Sequence, residues 1–154
     1  MALNKGKQFE IKFKEDFLKI EGSSLDRLYD LMNGYKSMSQ ICDFIGYIYP
    51  NILYLECKSH KGACIPIENI TQHEKMKKKI GIHGVRTGVI LWLYEKDKVL
   101  YIPSATIEQL KKDGEKSIGL RHLEKYNIKE IPSIKRRVFM DSDYSILKQL
   151  EDGE

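Results

Sequence analysis

Two acidic side chains and a lysine stand out for the chemistry they could do together. Asp43 opens one apolar run, and Glu56-Cys57-Lys58 closes the next. Two carboxylates are hard oxygen ligands for a divalent ion, and a lysine beside them offers a cation to a phosphate oxygen. That is the equipment for metal-assisted hydrolysis of a phosphodiester. The bland alternative is a solvated cross-strand ion pair on an exposed face, worth little in stability. Whether the three side chains can meet decides between them.

The elements that must position them read as a hairpin. Residues 41–49 and 52–59 are rich in β-branched and aromatic residues and meet at Pro50-Asn51. Alternation along a strand puts Glu56 and Lys58 on one face with Tyr54 and Ile52, and puts Asp43 on a face with Ile45, Tyr47 and Tyr49. With an even number of loop residues, Asp43 lies across from Glu56 or Lys58, and the other is a diagonal neighbour at roughly 7–8 Å. An odd loop turns Asp43 to the opposite face. Both faces of this hairpin are otherwise apolar. Three charged groups at one end then call for compensation by one another or by a metal.

Around this centre, residues 4–20 read as a helix with Phe9, Phe13 and Phe17 on one side, Asn4 as its cap and Gly22-Ser23-Ser24 as its stop. Residues 25–39 are polar and suit a short helix followed by an extended lead. A helix is expected over 66–79, with Ile67, Ile70, Met76 and Ile80 on one face and Gly81 at its end. Strands are expected over 88–94 and 99–103, the first buried on both faces. Ser104 then caps a helix through 112, and 141–150 forms the last helix. The order predicts an α/β domain spanning 1–154, with a central mixed β-sheet flanked by helices.

The chain has 154 residues, 42% hydrophobic and 31% charged, which places it among globular proteins rather than disordered or membrane-spanning ones. Net charge is only +4, so clustering carries more information than sign. Lys75, Lys77, Lys78, Lys79, His83 and Arg86 form one basic group and Lys135-Arg136-Arg137 another; they read as phosphate contacts or as solvated helix faces. Gln72, Lys75 and Lys79 share a helical face. The cysteines, Cys42, Cys57 and Cys64, form no paired motif, and residues 1–20 hold no continuous apolar core. The expectation is a cytoplasmic protein with reduced thiols, no membrane span and no zinc. Trp92 reads as core, and Tyr47, Tyr49 and Tyr54 as packing or a dimer contact.

Asp43 with Glu56-Cys57-Lys58 resembles the signature of the PD-(D/E)XK nuclease superfamily, whose fold is the restriction-endonuclease-like α/β sandwich. A more specific set comprises Asn4-Lys5-Gly6, Phe9-Glu10, Cys42-Asp43-Phe44, Glu56-Cys57-Lys58-Ser59, Ile65-Pro66-Ile67, Asn69, Gln72, Met76 and Gly88-Val89-Ile90. In order and spacing it is similar to the RecU-type Holliday junction resolvases. The resemblance implies a homodimer that cuts four-way DNA junctions by paired symmetric nicks, using magnesium, with manganese able to substitute and no nucleotide cofactor.

Carried over by position, the resemblance makes Asp43 and Glu56 metal ligands, with the main-chain carbonyl of Cys57 and the side chain of Gln72 as further candidates. Lys58 stabilises the transition state, and Glu10 takes a less direct catalytic part. The expected DNA contacts are Arg27, Tyr35, Lys36, Lys61, Lys75, Lys79 and Arg86. Two departures are visible. Ile41 stands where the family has a threonine ligand, and residues 25–40 leave room for only a reduced version of the family's junction-gripping stalk. Three functions therefore compete: a junction resolvase, another nuclease of the superfamily acting on branched or duplex DNA, and a non-catalytic DNA-binding recombination accessory protein.

Overall fold

Three phenylalanines spaced four apart build the first element. In helix α1 (Lys5–Phe17), Asn4 accepts from Lys7 N at 2.8 Å, and Phe9, Phe13 and Phe17 are buried along one stripe. Phe13 meets the rings of Phe44 and Tyr144 edge-on at 5.3 and 4.9 Å, which locks the helix to the sheet below it and to the C-terminal 3-10 segment. These contacts come from a computed structural model that describes residues 4–33 and 36–154, with the backbone alone for residues 32, 33 and 36–38.

After α1 come strand β1 (Ser24–Arg27), a small hairpin of β2 (Leu31–Asn33) and β3 (Lys36–Met38), then β4 (Phe44–Ile48) and β5 (Asn51–His60). A crossover holds β6 (Cys64–Pro66), a 3-10 turn, the one-turn helix α2 (His73–Met76) and a second 3-10 turn. It leads to β7 (Val85–Leu93), β8 (Lys98–Pro103) and helix α3 (Ser104–Lys112). The chain finishes with β9 (Ser117–Gly119), β10 (Lys129–Glu130), the pair β11 (Ser133–Lys135) and β12 (Met140–Ser142), and a 3-10 segment, Tyr144–Gln149.

The main sheet has six strands in the order β1-β4-β5-β7-β8-β10, antiparallel except for the parallel β5–β7 pair. It is the mixed sheet expected from the sequence. Alternation along β7 divides the core: Ile90 and Trp92 pack under α1 and the final 3-10 segment, while Val89, Leu91 and Leu93 pack under α3 and the crossover. Gly88 lets β8 cross at close range, since a Cβ there would lie 2.6 Å from Ile102 O and 2.7 Å from the Tyr101 ring. No helix among the described residues is long and apolar enough to cross a membrane.

Four expectations give way to tertiary contacts. Residues 66–79 do not form one helix: Ile70 leaves the helical region at φ −90°, ψ 74°, and by doing so buries its side chain in the α3 cluster. Ser104 is the first residue of α3 rather than its cap, because its buried hydroxyl is spent on Thr87 Oγ1 at 3.1 Å. Residues 141–150 divide into β12 and a 3-10 segment; Ser142 N is held by Asp16 Oδ2 at 3.0 Å, and Asp143 caps the 3-10 segment through Ser145 N. Residues 25–39 contribute no helix where described; they supply the edge strand β1 and the β2–β3 hairpin.

Candidate active site

The β4–β5 ladder sets the spacing of the two acids. Phe44 pairs with Leu55 and Ile48 with Asn51, so a two-residue turn joins the strands and Asp43 sits one position beyond the ladder, level with Glu56. This is the even register that the catalytic reading requires. Cys57 N, at the point where β4 no longer offers a carbonyl, donates to Asp43 Oδ2 at 2.9 Å. The aspartate thus completes the strand's hydrogen bonding and is aimed by it.

Glu56 is only 3% exposed. One carboxylate oxygen lies 3.4 Å from Lys58 Nζ, and the other, Oε2, is buried without a partner. Burial chiefly, and then the nearby charge of Asp43, push its pKa from the ordinary 4.5 up to about 7, against the pull of Lys58. Asp43 is also raised, mainly by burial, with the Cys57 N–H and the charges of Arg27 and Lys58 opposing. Glu10, from α1, is raised by burial and then by Asp43. The three carboxyls crowd one end of the sheet, and a further cation would relieve all of them.

Arg27, expected from the sequence as a DNA contact, is turned toward the acids. Its Nε and Nη2 donate to Glu10 at 3.2 and 3.4 Å, and its Nη1 lies 3.6 Å from Asp43 Oδ1 and donates to Asp43 O at 3.2 Å. The pairing of β1 with β4 sets Arg27 opposite Phe44. The polar sequence Ser-Leu-Asp-Arg conceals that strand. Beside these residues lies a groove of about 370 Å³ lined by Lys7, Glu10, Lys14, Arg27 and Tyr29, among others. A larger concavity of about 940 Å³, between residues 66–74 and 111–117, lies away from the acids.

The remaining expected residues are scattered. Gln72 opens α2, half-buried, and no hydrogen bond ties it to the acids. Lys75 Nζ donates to Ser39 O at 2.8 Å, and Lys79 Nζ lies 5.0 Å from the Tyr54 ring centroid. Lys61 is exposed, 3.8 Å from Glu95. Arg86 does not suit a DNA contact: it is 5% exposed, and its guanidinium is committed to Leu150 O at 3.2 Å and Asp152 at 2.6 Å. Tyr35 and the side chain of Lys36 fall outside the described residues.

The donor set fits a hard divalent cation. An orphaned, buried carboxylate oxygen on Glu56 and a second acid level with it would supply two ligands. Among the described residues no three His, Cys, Asp or Glu side chains converge on one point, so main chain and water would complete the shell, as magnesium favours.

The recombination protein U family profile matches residues 11–141. The chain belongs to that family. The match takes in Asp43, Glu56, Lys58 and Gln72, and begins one residue after Glu10. Among solved structures, the chain is similar to Hjc, a Holliday junction resolvase of the hyperthermophilic archaeon Archaeoglobus fulgidus. The TM-score is 0.56 at 16% identity, over 79% of this chain and 93% of that one. This likeness supports the restriction-endonuclease-like fold. No curated protein matches the chain.

Proposed function

We propose that the protein is a magnesium-dependent endonuclease that resolves four-way DNA junctions. The observation that carries this reading is the level pairing of Asp43 with the buried, half-unpartnered Glu56, beside Lys58, in a member of the recombination protein U family. Asp43 and Glu56 would hold the ion, with the Cys57 carbonyl and Gln72 as candidate further ligands; bound there, it supplies Lewis acidity and a water of lowered pKa. Lys58 reaches a non-bridging oxygen of the scissile phosphate and offsets the charge that builds there. Glu10 anchors Arg27, whose guanidinium lies beside Asp43, and so takes its part in the site indirectly. Lys61, Lys75 and Lys79 contact phosphates on the crossover side, and Lys7 and Lys14 do so along the groove beside Glu10.

Two equivalent strands of a junction need two equivalent sites, which a twofold dimer provides. The uncovered end of the hairpin supports this: Tyr47 and Ile52 pair across it at 38% and 42% exposure, and Tyr49 beyond them is 79% exposed. A second copy of the chain is the occupant we assign to it. Ile52→Glu therefore shifts the protein toward monomer in sedimentation.

A cleavage assay on a synthetic four-way junction and a matched duplex, with magnesium and then with chelator, tests the activity. Paired symmetric nicks confined to the junction, and lost in chelator, are expected. The short β2–β3 hairpin favours a second reading, a nuclease of branched or duplex DNA in general, which predicts cutting of both substrates. Binding without products in any metal refutes both.

A further inference from the structure

Residues 28–43 leave the sheet at the end of β1 and return at the start of β4, and a few bonds at the neck tie the two legs of this insertion together. Leu28 N donates to Asp43 O at 2.8 Å. Gln40 N donates to Asp30 Oδ1 at 2.8 Å, and Gln40 Nε2 to Tyr29 O at 3.1 Å. Arg27 stands immediately before the neck, and its guanidinium faces two ways at once. Toward the neck it donates to the main-chain oxygens of Leu28 and Asp43. Toward the site it holds both oxygens of Glu10 and approaches Asp43 Oδ1. The rings of Tyr29 and Phe44, with centroids 5.2 and 5.5 Å away, further restrict it.

We propose that Arg27 is a positioning residue that couples the hairpin insertion to the catalytic acids, so that the rate of cutting depends on how the insertion is seated on DNA. The proposal rests on the nuclease reading above. A guanidinium is a rigid planar fork, and one fork shared by neck carbonyls and acid side chains turns a tilt of the neck into a displacement of Glu10 and of the positive charge beside Asp43. Misplacement of reacting groups by ~1 Å costs about a hundredfold in rate, so the lever is short but strong. Arg27 has few donors left for a phosphate, because its Nε, Nη1 and Nη2 are already committed within the chain. A lysine would keep the charge and lose the fork.

The test compares wild type with Arg27→Met and Arg27→Lys. Cleavage of a four-way junction and of matched duplex is measured at saturating magnesium, and junction affinity is measured in chelator across a range of salt. Both variants should bind the junction within about twofold of wild type with the same salt dependence, and cut it about 10–100-fold more slowly in kcat, the range typical when a partner that orients metal ligands is lost. Lysine should not rescue, and duplex cutting, which uses the same acids, should fall as well but by a smaller factor than junction cutting, so that junction preference falls. The proposal is overturned if methionine weakens junction binding and flattens its salt dependence while lysine restores both, the behaviour of a phosphate contact. It is equally overturned if both variants cut the junction like wild type. A wild type that cuts no DNA refutes the nuclease reading instead, and that control is read first.

Discussion

Replacing Glu56 by glutamine should make the metal-free protein less sensitive to alkali while destroying its activity. In the unfolded chain this carboxyl has its ordinary pKa of 4.5; in the folded protein burial and Asp43 raise it to about 7. Between those values the folded state holds the proton more tightly, so raising the pH through this window costs stability. Below it both states are protonated, and above it both are ionised. At about 1.4 kcal/mol per pH unit the full cost is about 3 kcal/mol, and Glu56 is too buried for solvent to screen most of it. Glutamine's own burial cost is the same at every pH, so the quantity to read is how the difference between variant and wild type changes. Urea unfolding in chelator at about pH 5 and about pH 8 should show that difference moving by about 2.5 kcal/mol in favour of Glu56→Gln as pH rises, since part of the window lies below about pH 5. Adding magnesium at about pH 8 should restore the wild type alone, by about 2.7 kcal/mol at a hundredfold excess over Kd. A difference that stays constant between the two pH values refutes the placement of Glu56 as an ionised, uncompensated ligand.

Named contacts set three further outcomes. Asp43→Asn should abolish cleavage yet leave junction affinity in chelator largely intact, because asparagine keeps an oxygen for Cys57 N and loses the charge; equal cutting by the two proteins sinks the assignment. Lys58→Met should slow cleavage by about 10²–10³ without weakening junction binding, as measured by single-turnover kinetics. Gly88→Ala should cost about 1–3 kcal/mol in urea unfolding, since the new methyl would press on the Ile102 carbonyl and the Tyr101 ring; an unchanged midpoint counts against the tight β7–β8 approach.

What the sequence revealed and what it hid have separate physical causes. The hairpin of β4 and β5 was legible because strand alternation has a period of two, and one turn length then fixes every pairing through to Asp43 and Glu56. Helix α1 was legible because its three phenylalanines face one core. The crossover was misread because Ile67, Ile70 and Met76 have helical spacing, yet Ile70 turns aside to reach the α3 cluster, a preference that only tertiary packing sets. Arg27 and Arg86 look alike in sequence. Burial against the C-terminal residues claims one, and an edge strand next to the acids claims the other, and both facts depend on partners far along the chain.

Because Cys57 N–H hangs on Asp43 while Cys57 itself is laddered to Ile90 on β7, the distance between the two acids is set by the sheet rather than by side-chain rotamers. Spreading or closing them would mean unzipping the most deeply buried strands of the molecule. The site therefore behaves as a fixed gauge. If the chain acts on branched nucleic acid as proposed, adjustment to that substrate falls to the nucleic acid and to the insertion at the neck.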